Sequence, residues 1–574
     1  MQKNLKIDYY LMISIGLIFF TILFLICYFV APFTDESFPI ATALRFVQGQ
    51  IPFIDDSSPF IPLALLLYPV VKLSLWLHQG TNELILFIRH CYIAFSFLVS
   101  IYTFFLIRRK FPLILSFFIA LAIGTFHPFG VNNFHYDTLL TLLWSSIVFQ
   151  FYSFQFSETI RKSHLIIFSL FNLVLCFAYP TFLFFLVPYF LLFYPFNRHS
   201  NKMLFSHFLV ACFGAVVFIW IIFYHFNVQL QDIQNTLDFL PHLRTYNNQI
   251  VSDKFLELFH RLGSKYSQNI LIASVFLLIG YYGRKYWFIL LPCILAVLYV
   301  PFFAVNIQHA VYSDAFAIFN YMGFLGCPLF LIFLRNDPEA KKMFCFIWVP
   351  SFIAGIITSI SAGHLDLNFI IGFFPAFILS YVFIYLIIEK NMTLRPSLNY
   401  FLTRMVLICG LIELIFFQWN YIYGSIYVGM PIYKNSIKIE TKNPFSGLYV
   451  APADHGLVMD LQKDIQKLDV SSVNQFVYFG AFSGGYLFPT NLKPGDYFLY
   501  ATYDQGHFGK EIRTPNYVFD FSKLWHTPAE YIDIYLKGAQ YKKIATRQFY
   551  DIYASEHTLV LSQNLCEKKT GDCI

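Results

Sequence analysis

Charged side chains are scarce in this chain: Asp, Glu, Lys and Arg make up 13% of 574 residues, against 57% hydrophobic and 21% aromatic, with a mean hydropathy of +0.59. So much apolar surface exceeds what a water-soluble core can hide, which excludes an ordinary soluble globular protein. The net charge of +6 does not point to nucleic acid, because many of the Lys and Arg residues stand at the ends of apolar runs, where they orient membrane spans. No internal repeat is visible, so an inverted-repeat transporter gains no support. A cysteine framework is also lacking. Cys27, Cys91, Cys176, Cys212, Cys293, Cys327, Cys345 and Cys409 all lie in apolar runs and read as small buried hydrophobes. Only Cys566 and Cys573 sit in a polar tail, with six residues between them, a spacing that permits a short disulfide if the tail is in an oxidising compartment.

What remains is a succession of long apolar runs. Lys3 and Lys6 precede an uncharged stretch, residues 9–34, too long for the core of a signal peptide, so a retained first span is expected. Counting runs against the positive-inside rule predicts about thirteen spans. Basic inner turns are expected at Arg108-Arg-Lys110, Arg161-Lys162, Gly283-Arg-Lys285 and Arg335 to Lys342. Outer connections are expected at 31–81, 127–137 and 225–268, and at the turn Gly363-His-Leu-Asp366. Within the first of these, Phe60 to Leu77 is interrupted by Pro69 and Lys72 and reads as juxtamembrane rather than spanning. The run 164–196 breaks at Tyr179-Pro180 with basic residues at both flanks, which suits a hairpin of two short spans. The N-terminus is then cytoplasmic in a multi-pass inner-membrane protein, and everything after Tyr423 lies outside.

The chain therefore divides into a transmembrane domain, 1–424, and an extracytoplasmic soluble domain, 425–574. In the latter, short apolar-aromatic runs such as Gln475 to Phe479 and Tyr517 to Phe521 alternate with Gly, Pro and charged residues, the pattern of a mixed α/β domain. Gly456 to Leu468 places Leu457, Val458, Leu461, Ile465 and Leu468 on one side and reads as its first helix.

Ionisable residues gather on the expected outer face. Asp35 and Glu36 follow the first span directly; His127, His135, Tyr136 and Asp137 lie in the second loop; Arg244, Lys254, Arg261, Lys265, His309 and His364 come from later ones. A carboxylate walled by apolar groups can take a proton from an attacking hydroxyl, and nearby cations can hold a phosphate leaving group. Each residue also has a structural alternative. Asp35 and Glu36 are placed to cap the helix that starts near Phe38, and Asp137 to cap the helix that it opens. Arg244 and Arg261 are placed to solvate a loop or touch lipid headgroups. No His-x-x-x-His accompanies the two histidines, which read as hydrogen-bonding residues rather than zinc ligands.

The string Thr34-Asp-Glu-Ser-Phe38, with Ala43-Leu-Arg-Phe-Val-Gln-Gly-Gln-Ile-Pro52, Asp55-Asp56, Pro59 and Pro62, resembles the first outer loop of GT-C fold glycosyltransferases. It is most similar to the bacterial branch related to protein O-mannosyltransferases and the lipid A aminoarabinose transferase. The thirteen-span layout with an outward C-terminal domain is similar as well. The resemblance implies inverting transfer of a sugar from a polyprenyl-phosphate donor to a glycan, lipid or protein acceptor at the outer face. Asp35 would be the general base, with Glu36 and Asp137 positioning the acceptor. Lys72, Arg244, Arg261 and His364 are candidates for the donor phosphate by side and charge. The Asp-x-Asp metal motif of the oligosaccharyltransferase branch is missing from the early loops, whereas His364-Leu-Asp366 supplies one carboxylate, so no cofactor is assigned and a divalent metal stays open.

Two other classes compete. A transporter or flippase for a lipid-linked glycan calls for charges within several spans, yet Arg89 and Glu413 are nearly alone there. A non-catalytic scaffold would use the membrane region only to present the C-terminal domain.

Overall fold

Backbone N–H and C=O groups in lipid must be satisfied within the protein, and a helix does this from a single segment. The uncharged runs accordingly fold as helices. The computed structural model describes residues 2–29, 36–54, 60–128, 132–155, 161–183, 185–186, 188–189, 210, 213–218, 220–239, 251–284, 286–303, 312–361, 365–391, 396–423, 434–468, 475–479, 487–488, 493–494, 516–521, 523 and 540–555. The chain forms two compact units, one of residues 1–30, 89–217 and 249–434, the other of residues 31–88, 218–248 and 435–574.

The helices, in chain order, are α1 (Gln2–Ile26), α2 (Ser37–Val47), α3 (Ile61–His78), α4 (Leu84–Ile107), α5 (Leu113–Thr125), α6 (Tyr136–Gln155), α7 (Lys162–Ala178), α8 (Leu230–Phe239) and α9 (Val251–Tyr282). They continue with α10 (Trp287–Phe303), α11 (Tyr312–Leu329), α12 (Pro338–Met343), α13 (Val349–Ser361), α14 (Leu365–Asn391), α15 (Pro396–Tyr423) and α16 (Pro452–Leu468). Six helical stretches among the described residues are long and apolar enough to cross a membrane: α3, α4, α9, Phe316–Leu334, Pro338–Ser361 and Leu367–Lys390. This is a multi-pass helical architecture, with fewer qualifying helices than the thirteen spans expected.

The difference has physical causes. The third expected span folds as α5, only 13 residues between Pro112 and Phe126, short of the roughly 20 that a bilayer core requires. α7 and α10, at 17 residues each, stand at the lower limit of what crosses a bilayer. Most of the expected seventh span, 204–224, and much of the second half of the 164–196 hairpin fall outside the described residues. In the other direction, the stretch expected to be juxtamembrane forms the unbroken 18-residue α3, which is apolar enough to span. Pro69 lies inside α3, where it removes one backbone hydrogen bond without ending the helix. The expected outer connection 225–268 carries α8 and the first half of α9.

In the first unit α14 is the hub. It is apolar all round and 89% of its most apolar window is buried, the signature of a helix enclosed by others; it packs on α6, α11, α13 and α15. Close approach to α13 depends on Gly372, where an added Cβ would lie 2.4 Å from the carbonyl carbon of Ala354. Trp144 of α6 donates its indole N–H to the Gly372 carbonyl at 3.0 Å. Leu11, Ile13, Leu17 and Ile18 of α1 are exposed, as expected of side chains that meet lipid.

In the second unit α2 and α3 pack together. Its C-terminal part contains the hairpin β1 (Ile437–Lys438) and β2 (Tyr449–Val450), then β3 (Gln475–Phe479), β4 (Lys493–Pro494), β5 (Tyr517–Asp520), β6 (Tyr541–Thr546) and β7 (Asp551–Ser555). The last five make one sheet in the order β4-β3-β5-β7-β6, parallel at β4-β3-β5 and antiparallel beyond. This is the mixed domain that the sequence predicts. α16 buries Leu457, Val458, Leu461 and Ile465, and its buried Asp464 accepts two hydrogen bonds from Arg547, at 2.8 and 2.6 Å, and one from the Tyr550 hydroxyl at 2.7 Å. The Glu83 and Ile85 N–H groups donate to the carbonyls of Asn443 and Pro444 at 3.1 and 3.2 Å. The start of α4 is thereby tied to the loop before β2.

Candidate functional site

A buried polar cluster in the first unit begins where α5 ends. Past Thr125 the chain runs through His127 and Asn132 to His135, and α6 starts at Tyr136. The His127 Nδ1–H donates to the Asn132 Oδ1 at 2.6 Å, and its Nε2 lies 3.4 Å from the Ser96 hydroxyl, which donates to the Gly124 carbonyl. Burial drives the His127 pKa down to about 4, against the raising effect of the Asn132 bond. His127 is thus a neutral clamp that closes the turn.

At the head of α6 the capping duty falls to Thr138. Its hydroxyl accepts from the His135 N–H at 3.1 Å and donates to the Asn133 carbonyl at 2.5 Å. Asp137 carries its carboxylate within the first turn, where the helix dipole favours a negative charge. Its Oδ2 lies 3.8 Å from the His135 Nδ1, and both residues are buried, at 3% and 2% exposure. The Asp137 N–H donates to that same Nδ1 at 3.4 Å, and burial pushes the His135 pKa down to about 3. The imidazole is therefore neutral, with its proton on Nε2, and this buried atom has no hydrogen-bond partner among the described residues.

A second segment joins at Tyr179, the residue that follows α7. Its ring centroid lies 6.0 Å from that of Tyr136. Its hydroxyl meets Ser361 Oγ at 2.6 Å and the Thr358 carbonyl at 3.4 Å, both on α13. Burial, and after it the Asp137 carboxylate, raise the Tyr179 pKa, so the Tyr179 hydroxyl lies within the field of Asp137. The Thr358 hydroxyl donates on to the Asn368 carbonyl of α14 at 2.9 Å. Asn368 is itself buried, and its Oδ1 has no partner among the described residues. Segments expected as an outer loop (127–137), the tip of a hairpin (Tyr179-Pro180) and an outer turn (near 363–366) thus meet in one polar cluster.

No family model and no curated protein matches the chain.

The other expected site residues are placed as follows. Glu36 lies in the second unit, fully buried at the N-cap of α2, and its side chain makes no capping hydrogen bond. The capping alternative is therefore removed for Glu36. Asp35, Arg244 and His364 lie outside the described residues. Lys72 is exposed on α3, with its Nζ 5.7 Å from the Tyr68 ring, and the Tyr68 hydroxyl meets His225 Nε2 at 3.2 Å. Arg261 pairs with Glu257 one turn earlier on α9, Nη2 to Oε1 2.5 Å, a local helix pair of the ordinary kind. Among the described residues no group of three His, Cys, Asp or Glu is arranged to hold a metal ion. Tyr179, Ser361 and Thr358 were not singled out by sequence reasoning as site residues. The Tyr179-Pro180 break marked the hairpin tip, but nothing in the pattern links it to a serine 182 positions away.

Proposed function

We propose that this protein is an integral-membrane glycosyltransferase of the GT-C type, acting at the outer face of the cytoplasmic membrane. It moves a sugar, with inversion, from a polyprenyl-phosphate donor to an acceptor hydroxyl. The observation that carries the reading is the buried Asp137 at the head of α6, inside a polar cluster built from three segments that the span count sends to one side. The hydrogen bonds from Glu83 and Ile85 to the 443–444 loop agree with that count, since they join the end of the first outer segment to the C-terminal domain.

In this reading the acceptor oxygen attacks the anomeric carbon as the bond to the donor phosphate breaks. The hydroxyl proton passes to the Asp35 carboxylate, and the leaving polyprenyl phosphate takes the bonding pair. Glu36 and Asp137 orient the acceptor. Neutral His135 and Asn368 offer a donor and an acceptor that polar substrate groups can satisfy. Cations such as Lys72, Arg244 and His364 would face the phosphate, whereas Arg261 is already engaged by Glu257.

Membrane vesicles containing the protein, supplied with a panel of labelled polyprenyl-phosphate sugars, test this. Transfer from one donor is expected, with a loss of at least about 100-fold in Asp35→Asn at unchanged protein level. No transfer from any donor, or an Asp35→Asn variant as active as the wild type, refutes the assignment. The same assay in EDTA decides metal dependence.

A further inference from the structure

Two cations without a carboxylate partner among the described residues, Arg284 in the turn between α9 and α10 and Arg335 after Phe330–Leu334, lie on the side opposite the polar cluster in the expected topology, Arg284 just before an apolar groove. The Arg284 guanidinium carbon lies 4.1 Å from the centroid of the Tyr281 ring. That ring is 5.5 Å from Phe333, in the π-helical segment Phe330–Leu334 that leads into exposed Arg335. Arg335 is close enough for its charge to act on the Tyr281 hydroxyl. Neither arginine has a carboxylate partner among the described residues. The nearby acidic groups are already used: Asp337 by Lys390, and Glu339 by Lys342.

The groove begins just beyond Arg284. Phe288, Leu291, Pro292, Leu295, Ala296 and Tyr299 lie on one face of α10 and line an open depression of about 500 Å³. Pro292 and Ala296 are the smaller of its lining residues. From Phe288 to Tyr299 the helix rises about 16 Å, roughly half the ~30 Å hydrocarbon core. The lining residues therefore span about the depth of one leaflet, with Arg284 four residues before the first of them. Tyr282 and Tyr286, on either side of Arg284 in the chain, are exposed, at 83% and 56%, as aromatic residues at the headgroup level are.

We propose that this face binds an anionic phospholipid of the inner leaflet, with its phosphate held between Arg284 and Arg335 and one acyl chain along the α10 groove. The charge pattern favours this occupant over a second copy of the chain, because a symmetric contact through the same face would bring four guanidinium groups together. The inner leaflet also supplies the matching negative headgroups at the expected depth.

The test uses the full-length protein in detergent micelles, with bound lipid counted by native mass spectrometry during titration with phosphatidylglycerol or phosphatidylcholine. Phosphatidylglycerol is expected to bind more tightly, and its advantage to shrink as NaCl is raised. Arg284→Ala and Arg335→Ala should each weaken it about fivefold and weaken phosphatidylcholine less, since the choline cation offsets its phosphate charge, with Arg284→Lys close to wild type. Ala296→Phe, which adds bulk to the lining, should lower binding of both lipids. Arg284→Gln serves in place of the alanine variant if that one does not fold. Equal affinity of the wild-type protein for the two lipids, indifference to both arginine substitutions, or disulfide cross-linking of two Leu295→Cys copies through the groove would each overturn the proposal.

Discussion

His127 and His135 are both held neutral by burial, with pKa values near 4 and 3, whereas an unfolded histidine takes its proton near pH 6.5. Because the folded values are depressed, the unfolded state binds more protons once the pH drops below 6.5, and stability falls from there toward pH 4. The melting temperature in detergent should decline over that window, and His127→Gln should flatten part of the decline; a melting temperature constant from pH 6.5 to 4 contradicts it. Tyr179→Phe removes one hydroxyl from the polar cluster but leaves Ser361 donating to the Ile357 carbonyl at 2.8 Å. Its cost should be about 1 kcal/mol, read as a small drop in melting temperature. Asp464→Ala acts differently, since it strands the Tyr550 hydroxyl in the core and leaves Arg547 without its carboxylate. Arg547 keeps some access to water, so about 2 kcal/mol is expected, measured as increased proteolysis of the C-terminal domain within the full-length protein.

At the scale of elements, close packing of α13 and α14 rests on the absence of a side chain at Gly372. Gly372→Ala should cost about 1–3 kcal/mol or force the helices apart, and lower the yield of monodisperse protein. Gly263, on α9, has nothing within 4 Å of an added Cβ, and Gly263→Ala should instead stabilise by up to about 1 kcal/mol. The opposite signs follow from packing, since an added Cβ meets the α13 backbone at Gly372 and open space at Gly263. The C-terminal elements were more legible. α16 showed its buried stripe through the spacing of Leu457, Val458, Leu461 and Ile465, and β3 and β5 showed through short aromatic-apolar runs. Less legible was α3, where Pro69 and Lys72 argued for an interruption that the neighbouring apolar residues override.

For the whole molecule, side of the membrane is the property on which the functional reading depends. Lys110 and Gln79 are both exposed and are expected on opposite sides. Gln79→Cys should react with a membrane-impermeant maleimide in intact cells, and Lys110→Cys only after permeabilisation, each compared with the wild-type background. The reverse pattern would place the polar cluster on the cytoplasmic side and remove the proposed activity.

The multi-pass helical class and the mixed C-terminal domain were determined by the sequence alone, because a helix in lipid satisfies its own backbone and an amphipathic element shows its period within a dozen residues. The tertiary structure decided which polar residues meet. Tyr179 reaches Ser361, Asp137 lies beside a neutral His135, and Glu36 makes no capping bond. Such encounters between distant positions are set by how helices pack around close contacts like Gly372, and that information is spread over many residues rather than written at any one of them.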